Sequence, residues 1–144
     1  MIVVDTNVLI YAVGEDHPLR DPCRRVLAAQ RAGRVELGTT LSVLEEFTQV
    51  RARRRSRDNA VSLARLFSES LTILDVSVDD FDHGLELFTA HTRLGSVDSV
   101  LAAAAMEHDA EALVSADRAF AEVAGLRHVD PATPALNRLL GTGG

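Results

Sequence analysis

The chain has no lysine and no tryptophan, a single tyrosine and a single cysteine. Aromatic residues make up only 4% of it, so base stacking on an aromatic platform is excluded as a main binding mode. The lone Cys23 rules out an intrachain disulfide and any zinc site built from cysteine pairs, and it suits a reducing compartment. No apolar run approaches the roughly 18 residues of a membrane span. The opening MIVVDTN has no basic region followed by an apolar core, so no signal peptide is expected and a cytoplasmic location is. No Gly-rich turn follows the first apolar run, which argues against a mononucleotide-binding fold. Positive charge is scarce as well. Fifteen arginines face 21 acidic residues, for a net charge of −6, so any contact with nucleic acid must be local.

What remains is ordinary globular composition, 47% hydrophobic and 25% charged over 144 residues, enough for one domain spanning residues 1–144. Neither repeats nor a linker precede the short GTGG tail. Short apolar runs at Ile2 to Val4, Val35 to Gly38, Thr72 to Val76, Ala112 to Ser115 and Arg127 to Val129 read as strands. Helical patterns separate them. Asp21-Pro22 reads as an N-cap and first helical position, with a stop at Gly33. Further helices are expected over Leu41 to Arg55, Asn59 to Ser70, and from Asp79 or Asp80 onward with Phe81, Leu85 and Phe88 on one side. Val97 to His108, almost wholly apolar, should be a central buried helix capped by Ser96. Strands alternating with helices imply an α/β fold with a mainly parallel sheet covered on both faces. The working crevice of such a sheet lies at the carboxyl ends of its strands.

Asp5 stands at such an end, in VVDTNVLIYA. Alone it could be an N-cap of the helix that follows. Asp98 falls in a helix first turn, where the macrodipole favours an acid, and Asp117 alone reads as a cap of the segment Arg118 to Ala124. Of the doublet Glu45-Glu46, Glu45 has a structural role in a capping box with Ser42, while Glu46 lies nearer the apolar side of its helix. Glu46 is therefore favoured as the functional acid. If the four acids converge, two charges about 4 Å apart repel by about 4 kcal/mol at an effective dielectric near 20. A cap or dipole contribution of about 1 kcal/mol does not offset that. A divalent cation does, and oxygen donors select Mg²⁺ or Mn²⁺.

VVDTNVLIYA, SVLEEF, SVDSVLAAAA and LVSADRAF, in that order, resemble the PIN-domain nucleases, particularly the VapC toxins of bacterial type II toxin–antitoxin pairs. The resemblance implies a three-layer α/β/α sandwich and Mg²⁺-dependent endoribonuclease activity. It implies an acidic site of Asp5, Glu46, Asp98 and Asp117, with Asp5, Asp98 and Asp117 as metal ligands and Thr6, Asn7 and Ser115 as supporting polar groups. It further implies a homodimer and a small VapB-type antitoxin whose C-terminal part covers the crevice. The Glu-Glu doublet departs from the family pattern and leaves the second acid open.

The run RARRRSR, which contains Arg51, Arg53, Arg54 and Arg55, admits three readings: a solvated helix end, an RNA-backbone contact, or a surface for an acidic partner. Two other functions compete with the nuclease. A phosphoaspartyl phosphatase or transferase would use Asp5 as nucleophile, but Asn7 stands where its second Asp is expected. A PIN-like binding module without activity is the non-enzymatic alternative.

Overall fold

Residues 1–142 are described by a computed structural model; of the GTGG tail, Gly143 and Gly144 lie outside the described residues. Strands β1 (Ile2–Val4), β2 (Leu37–Thr39), β3 (Thr72–Ile73), β4 (Ala112–Val114) and β5 (His128–Val129) form one sheet in the order β3-β2-β1-β4-β5. Every neighbouring pair is parallel. β1, β2 and β4 are buried along their length, as expected of strands covered on both faces. The fold is the three-layer α/β/α arrangement that the alternation of strands and helices implies. No helix among the described residues is long and apolar enough to cross a membrane.

Register decides where the polar residues fall. Val4 pairs with Val114, and the Asp5 N–H donates to the Val114 carbonyl at 3.1 Å. The next residues, Asp5 and Ser115, therefore leave the two central strands side by side. On the other flank the Thr39 hydroxyl donates to the Val4 carbonyl at 2.9 Å, so β2 ends at the same edge.

Seven α-helices connect and cover these strands among the described residues: α1 (Thr6–Val13), α2 (Arg20–Arg31), α3 (Leu41–Arg54), α4 (Arg57–Ser70), α5 (Val78–Ala90), α6 (Ser96–Glu107) and α7 (Ala135–Leu140). Several begin elsewhere than the sequence suggests. α2 starts at Arg20, so Pro22 is its third residue rather than its first. That is tolerated because the first four N–H groups of a helix have no intrahelical acceptor. α4 is capped by Ser56, whose hydroxyl accepts from the Asn59 N–H at 3.1 Å. α5 is capped by Ser77, in a reciprocal box with Asp80. Gly95, not Ser96, holds the N-cap position of α6. Nor do Ser42 and Glu45 form a capping box: the cap of α3 is Thr40, two residues earlier, and Glu45 is simply exposed.

Phe81, Leu85 and Phe88 do share one side of α5, but that side is not its buried one. They stay 50%, 40% and 46% exposed, while Asp80 and Gly84 are buried. A methyl group at Gly84 would stand 2.7 Å from the Val100 Cα, so α5 crosses α6 backbone to backbone at this glycine. Close approach along the small-residue side leaves the aromatic stripe facing outward. α6 itself is central, burying Leu101 and the run Ala102 to Ala105.

Candidate active site

Asp5 ends β1 and caps α1, with only 3% of its surface exposed. Its Oδ1 accepts from the Thr6 N–H at 2.7 Å. Its Oδ2 accepts from the Ser115 hydroxyl at 2.8 Å and the Asn7 amide at 3.2 Å. Ser115 Oγ in turn accepts from Asn7 Nδ2 at 2.9 Å and from the Asp117 N–H at 3.0 Å. The Asn7 carbonyl oxygen takes the Ala116 N–H at 3.1 Å, completing a bridge between the ends of β1 and β4. One hydroxyl donor and two acceptor lone pairs saturate Ser115, which fixes the direction of every hydrogen bond around it. Asn7 and Ser115 are thus orienting groups for Asp5. Thr6 is different, for its buried hydroxyl has no partner.

Asp117 caps the short 3₁₀ turn Arg118–Glu122 through the Ala119 N–H at 2.9 Å. Asp98 is the third residue of α6, where its carboxylate meets the Gly95 N–H. The cap geometries anticipated for Asp5 and Asp117 are therefore present, and both side chains nevertheless share a crevice with Asp98. Burial pushes the Asp5 carboxyl up from 3.8 to about 6, against the hydrogen bonds from Ser115 and Thr6, with the charges of Glu46 and Asp117 adding to the rise. Burial likewise pushes Asp98 up to about 7, helped by the charges of Asp5, Glu46 and Asp117. Glu46 is exposed, yet it faces both aspartates electrostatically. Glu45 instead borders a groove between α3 and α4 with Leu41, Leu44 and Val61.

The ion pairs among the described residues are Arg93–Glu122, Arg118–Asp130 and Arg127–Glu111, and none of them neutralises any of the four acids. Four carboxylates at one sheet edge without a cationic partner are a set of hard oxygen donors. Among the described residues no three acidic, histidine or cysteine side chains stand close enough to enclose an ion unaided. That suits Mg²⁺, which holds several waters and takes one or two carboxylates plus substrate phosphate rather than an all-protein cage.

The basic run is not part of this crevice. Arg51 donates from Nε to Asn59 Oδ1 at 2.7 Å, and Arg53, Arg54 and Arg55 are exposed at the far end of α3. Sequence reasoning overlooked Arg20, on α2, which joins three of these arginines around one pocket. The helical period held a partial signal: Arg51 lies four residues beyond the buried Phe47 and continues its side of the helix.

A parallel α/β/α sheet whose central carboxyl edge gathers four acids defines a class of acidic-site α/β proteins. The comparisons with known proteins narrow it. The PIN-domain family model matches residues 2–126. Ribonuclease VapC7 of Mycobacterium tuberculosis is 45% identical over 143 residues, covering 98% of this chain and 99% of its own. The structure of Mycobacterium tuberculosis VapC20, described as a toxin that cleaves the sarcin–ricin loop, superposes with a TM-score of 0.72 at 20% identity, over 88% of this chain and 99% of that one. VapBC2 from Rickettsia felis, solved on a DNA fragment of its promoter, gives 0.70 at 22% identity, over 90% of this chain and 98% of that one. The chain belongs to the PIN-domain family and, within it, to the VapC group.

Proposed function

We propose that the protein is a divalent-metal-dependent endoribonuclease and the toxin of a toxin–antitoxin pair, acting as a single PIN-like domain in the cytoplasm. The observation that carries this reading is the pair Asp5 and Asp98, on different elements, each pushed up by burial and by the charges of Glu46 and Asp117. In this reading Asp5, Asp98 and Asp117 would hold hydrated Mg²⁺, part of the set through its waters, with Mn²⁺ as a substitute. The cation, when bound, would neutralise phosphate charge and acidify an attacking water.

The chain's own residues supply the rest. Ser115, Asn7 and the Thr6 N–H hold the Asp5 carboxylate in one orientation, so no reorganisation is needed when substrate arrives. Asp98 is presented from the first turn of a rigid, buried helix. Glu46, exposed on α3 with its charge acting on Asp5 and Asp98, would help to orient water at the site. A phosphoaspartyl mechanism is disfavoured because Asn7 stands where that motif places its second Asp, and it is spent on orienting Asp5 and Ser115.

A VapB-type antitoxin is the proposed protein partner, supported by the toxin–antitoxin complexes among the fold's structural relatives. A homodimer is supported by the outward apolar stripe of α5, where Val78, Phe81, Leu85 and Phe88 are all exposed. The test of the enzymatic reading is incubation of purified protein with total RNA, with Mg²⁺ or with EDTA, followed by mapping of new ends. Discrete cuts that require Mg²⁺ are expected. Intact RNA under both conditions would leave a binding module.

A further inference from the structure

On the far side of α1 from the acids lies a second polar cavity, of about 570 Å³, lined by Val13, Gly14, Glu15, Arg20, Arg51, Arg54 and Arg55. Four guanidiniums from two helices meet here, and among the described residues none of them forms an ion pair. The Nε of Arg20 is buried with no hydrogen-bond partner at all. Arg51 is steadied by Asn59, while burial and the neighbouring Arg55 and Arg54 lower its proton affinity. Helix ends do not explain the arrangement. The C-terminus of α3 attracts cations and so accounts for its arginines, but Arg20 is the first residue of α2, where the helix dipole opposes a positive charge. Four guanidiniums without ion pairs around one cavity, one of them at an electrostatically unfavourable helix start, make a site with room for an anion.

We propose that this pocket is a subsite for a backbone phosphate of the RNA strand. The inference rests on the endoribonuclease reading given above. Planar guanidiniums match phosphate oxygens in paired hydrogen bonds, and a chain of net charge −6 needs a local foothold for RNA. Position favours a nucleic acid over an acidic protein segment. Asp5 caps the start of α1, and Val13 and Gly14 at its other end line the pocket. Glu46 lies on α3 five residues before Arg51. At about 1.5 Å of rise per residue, the two sites are on the order of 10 Å apart along the same helices. A strand cut at the acids passes the arginines within a few nucleotides.

The test measures binding of a short, labelled, mixed-sequence single-stranded RNA to the full chain in EDTA over a range of KCl. The proteins are wild type, Arg20→Gln, Arg54→Gln, the double variant, and Arg34→Gln, a charge-matched control ahead of β2 at the opposite edge of the sheet. A single-strand phosphate contact contributes about 0.7 to the slope of log affinity against log salt. Arg20→Gln and Arg54→Gln should each remove up to that amount, and together no more than about 0.7, because one phosphate is lost. Arg34→Gln should keep the full slope. In Mg²⁺ the pocket variants should raise KM for RNA cleavage and keep kcat. Arg54 is exposed, so its substitution decides the matter even if Arg20→Gln fails to fold. Unchanged slopes and KM, with Mg²⁺-dependent cleavage by every protein, would overturn the subsite and leave the nuclease standing. Wild type that neither binds nor cleaves RNA would overturn both. Variants that bind RNA normally but lose affinity for the antitoxin would overturn the phosphate in favour of an acidic segment of that partner.

Discussion

Asp5→Asn should make the metal-free protein more stable at neutral pH while destroying its response to Mg²⁺. The folded carboxyl is pushed up to about 6 from 3.8, so the folded state holds this proton more tightly than the unfolded chain. Full stability from this group is therefore present below about pH 3.8, is lost as pH rises through about 6, and stays lost above it. The shift of roughly two pKa units corresponds to about 3 kcal/mol. Asparagine removes that penalty, but it has one acceptor oxygen where Asp5 has two; with that oxygen at the Oδ2 position its NH2 faces the Thr6 N–H, and the lost cap bond costs about 1 kcal/mol. The net gain at pH 8 in EDTA is about 1–2 kcal/mol, a rise of about 3 °C per kcal/mol in melting temperature for a chain of this size. At pH 4, where the wild-type carboxyl is protonated, the gain should vanish or reverse. Mg²⁺ at a hundred times its Kd should then stabilise wild type by about 2.7 kcal/mol by mass action, and the variant far less. Thermal melts of both proteins at the two pH values, in EDTA and in Mg²⁺, provide the measurement. Equal Mg²⁺ shifts would show that Asp5 is a cap and not a ligand, and a stability gain independent of pH would show that its charge is not the cause.

Asp98→Asn and Asp117→Asn should each abolish Mg²⁺-dependent RNA cleavage with circular dichroism unchanged; full activity in a folded Asp98→Asn protein would sink the acidic-site assignment. Glu46→Gln should lower cleavage far more than Glu45→Gln. With Thr40 as the cap of α3, Glu45→Gln should leave urea midpoints unaltered as well, so a loss of activity that followed Glu45 would refute the placement of the doublet. Gly84→Ala should destabilise by roughly 1–3 kcal/mol in urea melts, the usual range for overpacking, because its methyl group would meet the Val100 backbone. A neutral Gly84→Ala would mean that the α5–α6 crossing is looser than 2.7 Å implies.

The central strands and the convergence of their ends were legible because a parallel sheet buried on both faces leaves few places for a polar residue. Asp5 and Ser115 interrupt apolar runs abruptly, and a carboxylate straight after a core strand has no bland surface to occupy. Helix starts were less legible. A serine or threonine caps only when the preceding backbone is extended, and the chain has such residues at neighbouring positions, so Ser42 and Thr40, or Ser96 and Gly95, compete on grounds that periodicity does not rank. The outward turn of the apolar side of α5 was not legible for another reason. Hydrophobic periodicity assumes that the bulkiest face goes inward, whereas Gly84 allows a backbone contact that large side chains would prevent. Arg20 was invisible because its partners are more than 30 residues away and nothing in its own neighbourhood marks it.

The two polar sites differ in how their charge is tolerated, and that difference bears on their use. The acids are rigidly held. Asp5 is buried and fully hydrogen-bonded, and Asp98 sits in the first turn of α6, so their repulsion is locked into the fold and falls only when protons or a cation arrive. The arginines are partly exposed, and long flexible side chains can spread into water when the pocket is empty. Repulsion among carboxylates that cannot move raises their proton affinity; repulsion among arginines that can move costs less and leaves them charged. A substrate must therefore bring a cation to the first site and can meet the second directly. Phosphate satisfies both demands, since its oxygens share a hydrated divalent cation at the acids and take guanidinium hydrogen bonds at the arginines.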